Sequence, residues 1–299
     1  YKYLTKGAYI PKHRSHNFTV ALDKRIRELG GEIRYNTAVE KILVENGKVQ
    51  GVVTSGGEEI KTRHIVSNAS PHIVYGKLIY PKSEVPEIAL KTCNARRVAP
   101  SGFVVYLGLD KTPEELGLKE YSYFVYNQPD SNEAYKAFGK LEKPAVQATI
   151  CLNNAIPDCS PEGTTIMSIT TLYSGDCWAN IEPKDYFAVK NKIAAEAIDE
   201  FEKAVGVNLK DSIEEVEVAT PVTFARYTGA YNGNIYGYEP VPWDSIMPRL
   251  MSMNDEKYIQ GLEFAGGSAV RCHGYSSTLL SGELAALLTY KSIKEEGTV

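Results

Sequence analysis

The segment Leu262–Leu288, LEFAGGSAVRCHGYSSTLLSGELAALL, constrains the fold more than any other stretch of the chain. A short apolar run stops at Gly266-Gly267, small residues follow, and an apolar pattern of helical spacing begins around Ser277. A strand that becomes a helix through so bare a loop has two physical explanations. Glycine reaches φ values closed to other residues, which permits a tight connection. A stripped backbone also lets a ligand approach, and the helix N-terminus then offers unpaired N–H groups and a positive dipole to a polar or anionic group. The segment alone leaves both open.

Upstream, Phe18, Leu22, Ile26 and Leu29 follow helical spacing, so Ser15–Leu29 is expected to be an amphipathic helix capped by Ser15 and stopped by Gly30-Gly31. Glu32–Asn36 reads as a short strand. Asn46-Gly47 lies between two strand-like runs and predicts a hairpin, Gly56-Gly57 marks a second turn, and Ile65–Ala69 reads as a buried strand closed by Ser70-Pro71. The middle contains four strand-like runs, SGFVVYLGLD, YSYFVYN, AVQATICLNN and TTIMSITTLY, followed by an amphipathic helix over Lys184–Val205 with Phe187, Ile193, Ile198, Phe201 and Val205 on its apolar side. The pattern gives a mixed α/β (α+β) fold in which both termini bracket a central sheet. Ala219–Trp243 reads as a long loop rich in Gly, Asn and Tyr, with Gly229, Gly233 and Gly237 four residues apart and Arg226 beside Tyr227. The chain holds 20 Tyr against 8 Phe and 2 Trp, a balance suited to lining a large pocket.

Several chemistries find no support. There is no G-x-S-x-G elbow, no Walker-type phosphate loop and no G-x-G-x-x-G after a strand. His13 and His16 lack a metal-binding pattern, and no metal is expected. A net charge of −4 argues against a nucleic-acid footprint. No apolar run is long enough to span a bilayer. Cys93, Cys151, Cys159, Cys177 and Cys272 form no C-x-x-C pair, which suits a reducing compartment.

Taken as a set, four stretches resemble the flavin-dependent phytoene desaturase, carotenoid isomerase and retinol saturase family. They are IPKHRSHNFTVALDKRIRELGGEIRYNTAVEKILVENGKVQGVV, HIVSNASP, TPVTFARYTGAYNGNIYG and the Gly-Gly segment, and their order covers nearly the whole chain. The resemblance implies an FAD-binding, Rossmann-like part built from residues 1–75 and 255–299, with a substrate-binding domain over 76–254. It implies non-covalent FAD contacting Val39, Ala69, Gly266, Gly267, Gly274, Tyr275 and Ser276, with the helix N-terminus facing the flavin. It also implies an oxidoreductase or isomerase acting on a long apolar polyene.

Arg226, Tyr227 and His273 are the catalytic candidates under this resemblance. Tyr231, Tyr236 and Tyr238, with Tyr227, are expected to wall the substrate cavity. A cytoplasmic protein with peripheral membrane contact is expected. The family's upstream βαβ unit with G-x-G-x-x-G is not found after Tyr1, so a longer parent is expected, with this chain alone inactive and weak for FAD. Where relatives often carry Gly-Gly after the first Pro, here Pro11 is followed by Lys12-His13-Arg14. A lipid-binding chaperone of the GDP-dissociation-inhibitor type and a flavin amine oxidase are the alternatives.

Overall fold

The computed structural model describes residues 5–7, 9–252, 256–269 and 273–297. Its largest sheet arises from the four central runs plus one more: β6 (Ser101–Leu109), β7 (Ser122–Tyr126), β8 (Val146–Cys151), β9 (Thr165–Tyr173) and β10 (Ile213–Ala219). They are ordered β10-β6-β9-β8-β7, and every neighbouring pair is antiparallel. Strict alternation of buried and half-buried residues along β9 shows one face turned to a core. On that face Phe103, Leu107 and Ile169 pack against Ile193, Ala197 and Phe201 of the helix Tyr186–Val205. Gly206, with φ of 78°, ends that helix in the left-handed conformation. Phe187 belongs to its first turn and is exposed, contrary to the expected apolar face. Its ring lies instead on Tyr186 and beneath Lys190.

The start of β6 is buried on both faces. The second face is covered by the helix Pro221–Thr228, whose Phe224 ring comes within 3.0 Å of where a Cβ on Gly102 would stand. This helix corrects the expectation of one long loop over residues 219–243. Thr220 caps it reciprocally with Thr223, and Pro221 occupies its first turn.

A second, smaller layer comes from the two ends of the chain. β1 (Val39–Glu45), β2 (Lys48–Thr54), β3 (Glu59–Lys61) and β5 (Ile79–Tyr80) form a sheet ordered β3-β2-β1-β5. The expected hairpin is present: Asn46 and Gly47 both take positive φ, 50° and 71°, as a two-residue turn between twisted strands requires. β4 (Ile65–Ser67) pairs in parallel with β11 (Leu262–Phe264), joining segments nearly two hundred residues apart. Ile42, Val44, Tyr75, Ile79, Ile259 and Leu262 build this layer's core, which runs on through Ala89 and Cys93.

Three expectations here need correction. Ile65–Ala69 is not a buried strand, because β4 stops at Ser67 and Val66 is exposed. Glu32–Asn36 forms no strand, having no ladder partner among the described residues. Its side chains pair locally instead, Arg34 with Glu58 and the Tyr35 hydroxyl with Asp23. The first helix, Ser15–Glu28, has Arg14 rather than Ser15 at its N-cap, with no side-chain cap bond. His13 and Arg14 take positive φ values of 59° and 79°, a region that favours glycine.

Candidate functional site

The parallel pair β4 and β11 ends at Ser67-Asn68-Ala69 on one side and Ala265-Gly266-Gly267 on the other. The carboxyl ends of adjacent parallel strands are where open α/β sheets leave a ligand crevice. Ala265 N–H donates to Ser67 O at 2.9 Å, so the two strand ends leave the sheet together. Gly266 is left-handed, with φ of 87°, and a Cβ there would lie 2.2 Å from Asn68 Oδ1. Only glycine lets the Asn68 amide sit against this turn.

Gly267 meets a second backbone. A Cβ on Gly237 would fall 2.3 Å from Gly267 C and 2.7 Å from Ser268 N, and Gly237 itself is left-handed. The Tyr231–Tyr238 loop is therefore seated directly on the Gly-Gly turn. Its other side is tied to the central sheet: Ala99 N–H donates to Gly237 O at 2.9 Å, and Ser101 Oγ donates to Asn232 O at 2.6 Å. Within the loop, Gly237 N–H donates to Asn234 Oδ1 at 2.8 Å. The turn, the loop and the sheet form one stacked unit.

After the turn, residues 270–272, including Cys272, lie outside the described residues. The helix Tyr275–Glu295 follows, with Gly274 at its N-cap and no side-chain cap bond. A Cβ on Gly274 would meet nothing within 4 Å. An uncapped terminus of a long helix, open above its cap residue, has the chemistry of an anion or polar-ring cradle. This end of the helix fits a cofactor such as FAD: the space beside Gly274 is open, and the helix N–H groups favour negative charge. Tyr275 is exposed and donates from its hydroxyl to Ser15 Oγ at 2.8 Å, which ties the first helix to this terminus.

The structure brings some of the proposed site residues together and leaves others apart. The His273 ring lies 4.2 Å from the Tyr236 ring, centroid to centroid. Ser276, like Tyr275, is exposed at the helix start, Ala69 is exposed beyond β4, and Val39 is exposed at the start of β1. Arg226 and Tyr227 point outward from the end of their helix, Tyr227 being 81% exposed, with the guanidinium 6.0 Å from the ring centroid. Tyr238 is 1% exposed, and the guanidinium carbons of Arg96 and Arg249 lie 5.3 and 5.6 Å from its ring centroid.

Sequence reading missed the residue that links these rings. His72, two positions past Ser70, is stacked on Tyr231 with centroids 5.7 Å apart. Its Nδ1 lies 3.4 Å from both the Tyr238 hydroxyl and Ser70 Oγ. His72 and Tyr231 line a cavity of about 610 Å³, together with Arg96, Arg97, Tyr135 and Glu239. Its only sequence signal was its place just after the Ser-Asn-Ala motif. Behind it, Asp244 accepts from Arg96 and from Arg249, and Glu256 accepts from Arg96 at 2.7 Å.

Burial pushes His72 below the ordinary imidazole value, with a backbone hydrogen bond at Cys93 partly opposing this. The folded state then holds fewer protons than the unfolded one across the histidine range. This contribution to stability is complete above the ordinary histidine value, about pH 6.5, and is lost as pH falls through the lowered value. The melting temperature should fall between about pH 7 and pH 5, and His72→Gln should flatten that slope. An unchanged slope in thermal melts of the variant would show that His72 is not buried in neutral form.

The family model described as flavin containing amine oxidoreductase matches residues 2–286. The chloroplastic prolycopene isomerase of Daucus carota is 30% identical over 269 residues, covering 89% of this chain and 41% of that protein. The all-trans-retinol 13,14-reductase of Danio rerio is 27% identical over 253 residues, covering 77% of this chain and 41% of that protein. The chain therefore spans about two-fifths of the length of these relatives. Among solved structures, an oxidoreductase from Methanosarcina mazei shares the fold, with a TM-score of 0.53 at 13% identity over 89% of this chain and 52% of that one.

Proposed function

The chain belongs to the flavin-containing amine oxidoreductase family, in its phytoene desaturase, carotenoid isomerase and retinol saturase group, and on that premise we propose that it carries the flavin and substrate site of an FAD-dependent enzyme acting on a long apolar isoprenoid. The observation that carries this reading is the seating of the Tyr231–Tyr238 loop on the Gly266-Gly267 turn, at the ends of two parallel strands. Gly274 would let the cofactor approach, with the Gly266-Gly267 backbone, Ala69 and Val39 as further contacts. The N–H groups at Tyr275 and Ser276 would stabilise negative charge on it. Bound FAD supplies hydride acceptance or donation, and the protein's share is orientation and electrostatics.

Tyr236 and His273 close one side of the turn, while Tyr231 and His72 present rings to the large cavity. Rings of this kind hold an apolar chain by face contacts while keeping polar tips bonded. Arg226 and Tyr227, pointing outward, are weaker candidates for contact with the reacting atoms. Two cores support the proposed division into a terminal flavin part and a central substrate part. Packing of Ala89 and Cys93 into the terminal core favours a boundary nearer residue 96 than residue 76.

No helix among the described residues is long and apolar enough to cross a membrane. Contact with a bilayer would be peripheral, and the first helix, which buries none of its residues and exposes Phe18, Leu22 and Ile26, supports such contact. The test uses the full natural polypeptide that carries residues 1–299, purified in the presence of FAD. It should show visible flavin bands that change when a polyene is added to the oxidised or the reduced protein without oxygen. A polypeptide that binds no flavin contradicts the proposal.

A further inference from the structure

A second cavity, of about 90 Å³, is bordered by β11, the helix Glu87–Ala95 and the helix Tyr275–Glu295. Much of its wall is apolar, with Tyr75, Leu262, Phe264, Leu284 and Leu288 among the lining side chains. Two buried polar residues interrupt that wall, Arg249 at 4% and Ser281 at 2% exposure. Arg249 Nη1 and Ser281 Oγ have no hydrogen-bond partner among the described residues. A buried donor left bare costs free energy, so both atoms need an acceptor.

The guanidinium is not free to swing elsewhere. Arg249 Nε and Nη2 donate to Asp244 at 2.9 and 3.0 Å, and Nη2 also donates to Glu239 O at 3.3 Å. Nη1 is thus the unused corner of a fixed plane. The charges around it are balanced. Arg96 pairs with Asp244 and with Glu256, Arg249 pairs with Asp244, and Lys257 pairs with Glu263 at 2.8 Å. Arg96, Arg249 and Lys257 therefore meet an equal number of carboxylates, Asp244, Glu256 and Glu263. A further buried charge of either sign would have no counter-ion. The acceptor that fits is neutral.

Water would serve the two polar atoms, but the apolar remainder of the wall gives it no partners. A molecule with one polar end and one apolar end suits the whole space. Since a cavity of about 150 Å³ takes benzene, this one has room for about four or five non-hydrogen atoms.

We propose that this cavity binds a small neutral carbonyl compound, a ketone or an aldehyde, whose oxygen accepts from Arg249 and Ser281 while its carbon chain lies against Tyr75, Phe264 and Leu284. A carbonyl oxygen has two lone pairs, one for each donor, and no hydrogen that would need an acceptor of its own. The proposal does not depend on the flavin reading.

Four molecules of one size and branching test it: butanone, 2-methyl-1-butene, propanoate and 2-butylammonium. Their binding to the full natural polypeptide that carries residues 1–299 is followed by ligand-observed NMR titration. Butanone should bind at least about 10-fold more tightly than the alkene, which has its shape without an acceptor, and than either ion. Ser281→Ala should weaken butanone about fivefold and leave the alkene within about twofold. Because Ser281 Oγ has no bond to lose, that change does not threaten the core. Equal binding of ketone and alkene, a preference for either ion, or a ketone preference that survives Ser281→Ala would overturn the proposal. Binding of none of the four would also overturn it, leaving the two donors to ordered water.

Discussion

Gly237→Ala should destabilise the protein by about 3–5 kcal/mol, lowering the melting temperature by about 6–12 °C. Two terms add at this position. The backbone φ of 75° is left-handed, which costs an alanine of order 1–2 kcal/mol. The new Cβ would also stand 2.3 Å from Gly267 C and 2.4 Å from Gly267 O, so one of the two backbones has to move. Gly206→Ala separates the terms, because Gly206 is left-handed, with φ of 78°, but has open space at its Cβ position. It should cost only the first term, and a Gly237→Ala loss no larger than the Gly206→Ala loss would show that the loop does not press on the turn.

The second large effect lies just behind the cavity. Asp244 and Arg249 have side chains only 5% and 3% exposed, and Arg96 only 12%. Asp244 accepts from Arg249 Nε at 2.9 Å, from Arg249 Nη2 at 3.0 Å and from Arg96 Nε at 3.2 Å. Removing the carboxylate leaves two largely buried guanidiniums close to Tyr238 without their shared partner. Asp244→Ala should therefore cost about 3–5 kcal/mol in chemical denaturation, the usual loss for breaking a buried pair from one side. Pairing it with Arg249→Met should recover a large part, since the double change removes a buried charge along with its partner. A loss below about 1 kcal/mol for Asp244→Ala would place this cluster in water rather than in the core.

What could be read from the sequence was what is local. The Asn46-Gly47 turn, the four central strand runs and the helix ending at Gly206 each carry their signal within a few residues. β10 escaped notice because it is an edge strand, largely exposed, whose glutamates hide its alternation. The helix Pro221–Thr228 did have a start signal, Thr220-Pro221 with Thr223, but the glycines that follow drew the whole stretch into a loop. The buried reading of Ile65–Ala69 failed because apolar composition cannot tell a covered strand from one whose outer face is free.

At the site, glycines and motif residues were legible as types, while their contacts were not. The glycine of the Tyr231–Tyr238 loop and the Gly-Gly turn could be singled out separately, yet nothing in their spacing says that one rests on the other. Asn68 lies within a recognised motif and His72 just after it, and their partners Gly266 and Tyr238 lie far along the chain. Arg96 meets Asp244 across 148 positions, a pairing that only the folded topology creates. Arg226 and Tyr227 illustrate the reverse case, where a suggestive pair in sequence stands on an exposed helix end.

The most direct measurement is a crystal structure of the full natural polypeptide with FAD bound. The flavin ring should lie in contact with Gly267 and the Tyr236–Gly237 backbone, with the N-terminus of the Tyr275–Glu295 helix directed at it. A cofactor bound away from the Gly266-Gly267 turn, or a helix N-terminus facing protein instead of flavin, would contradict the site proposed for this chain.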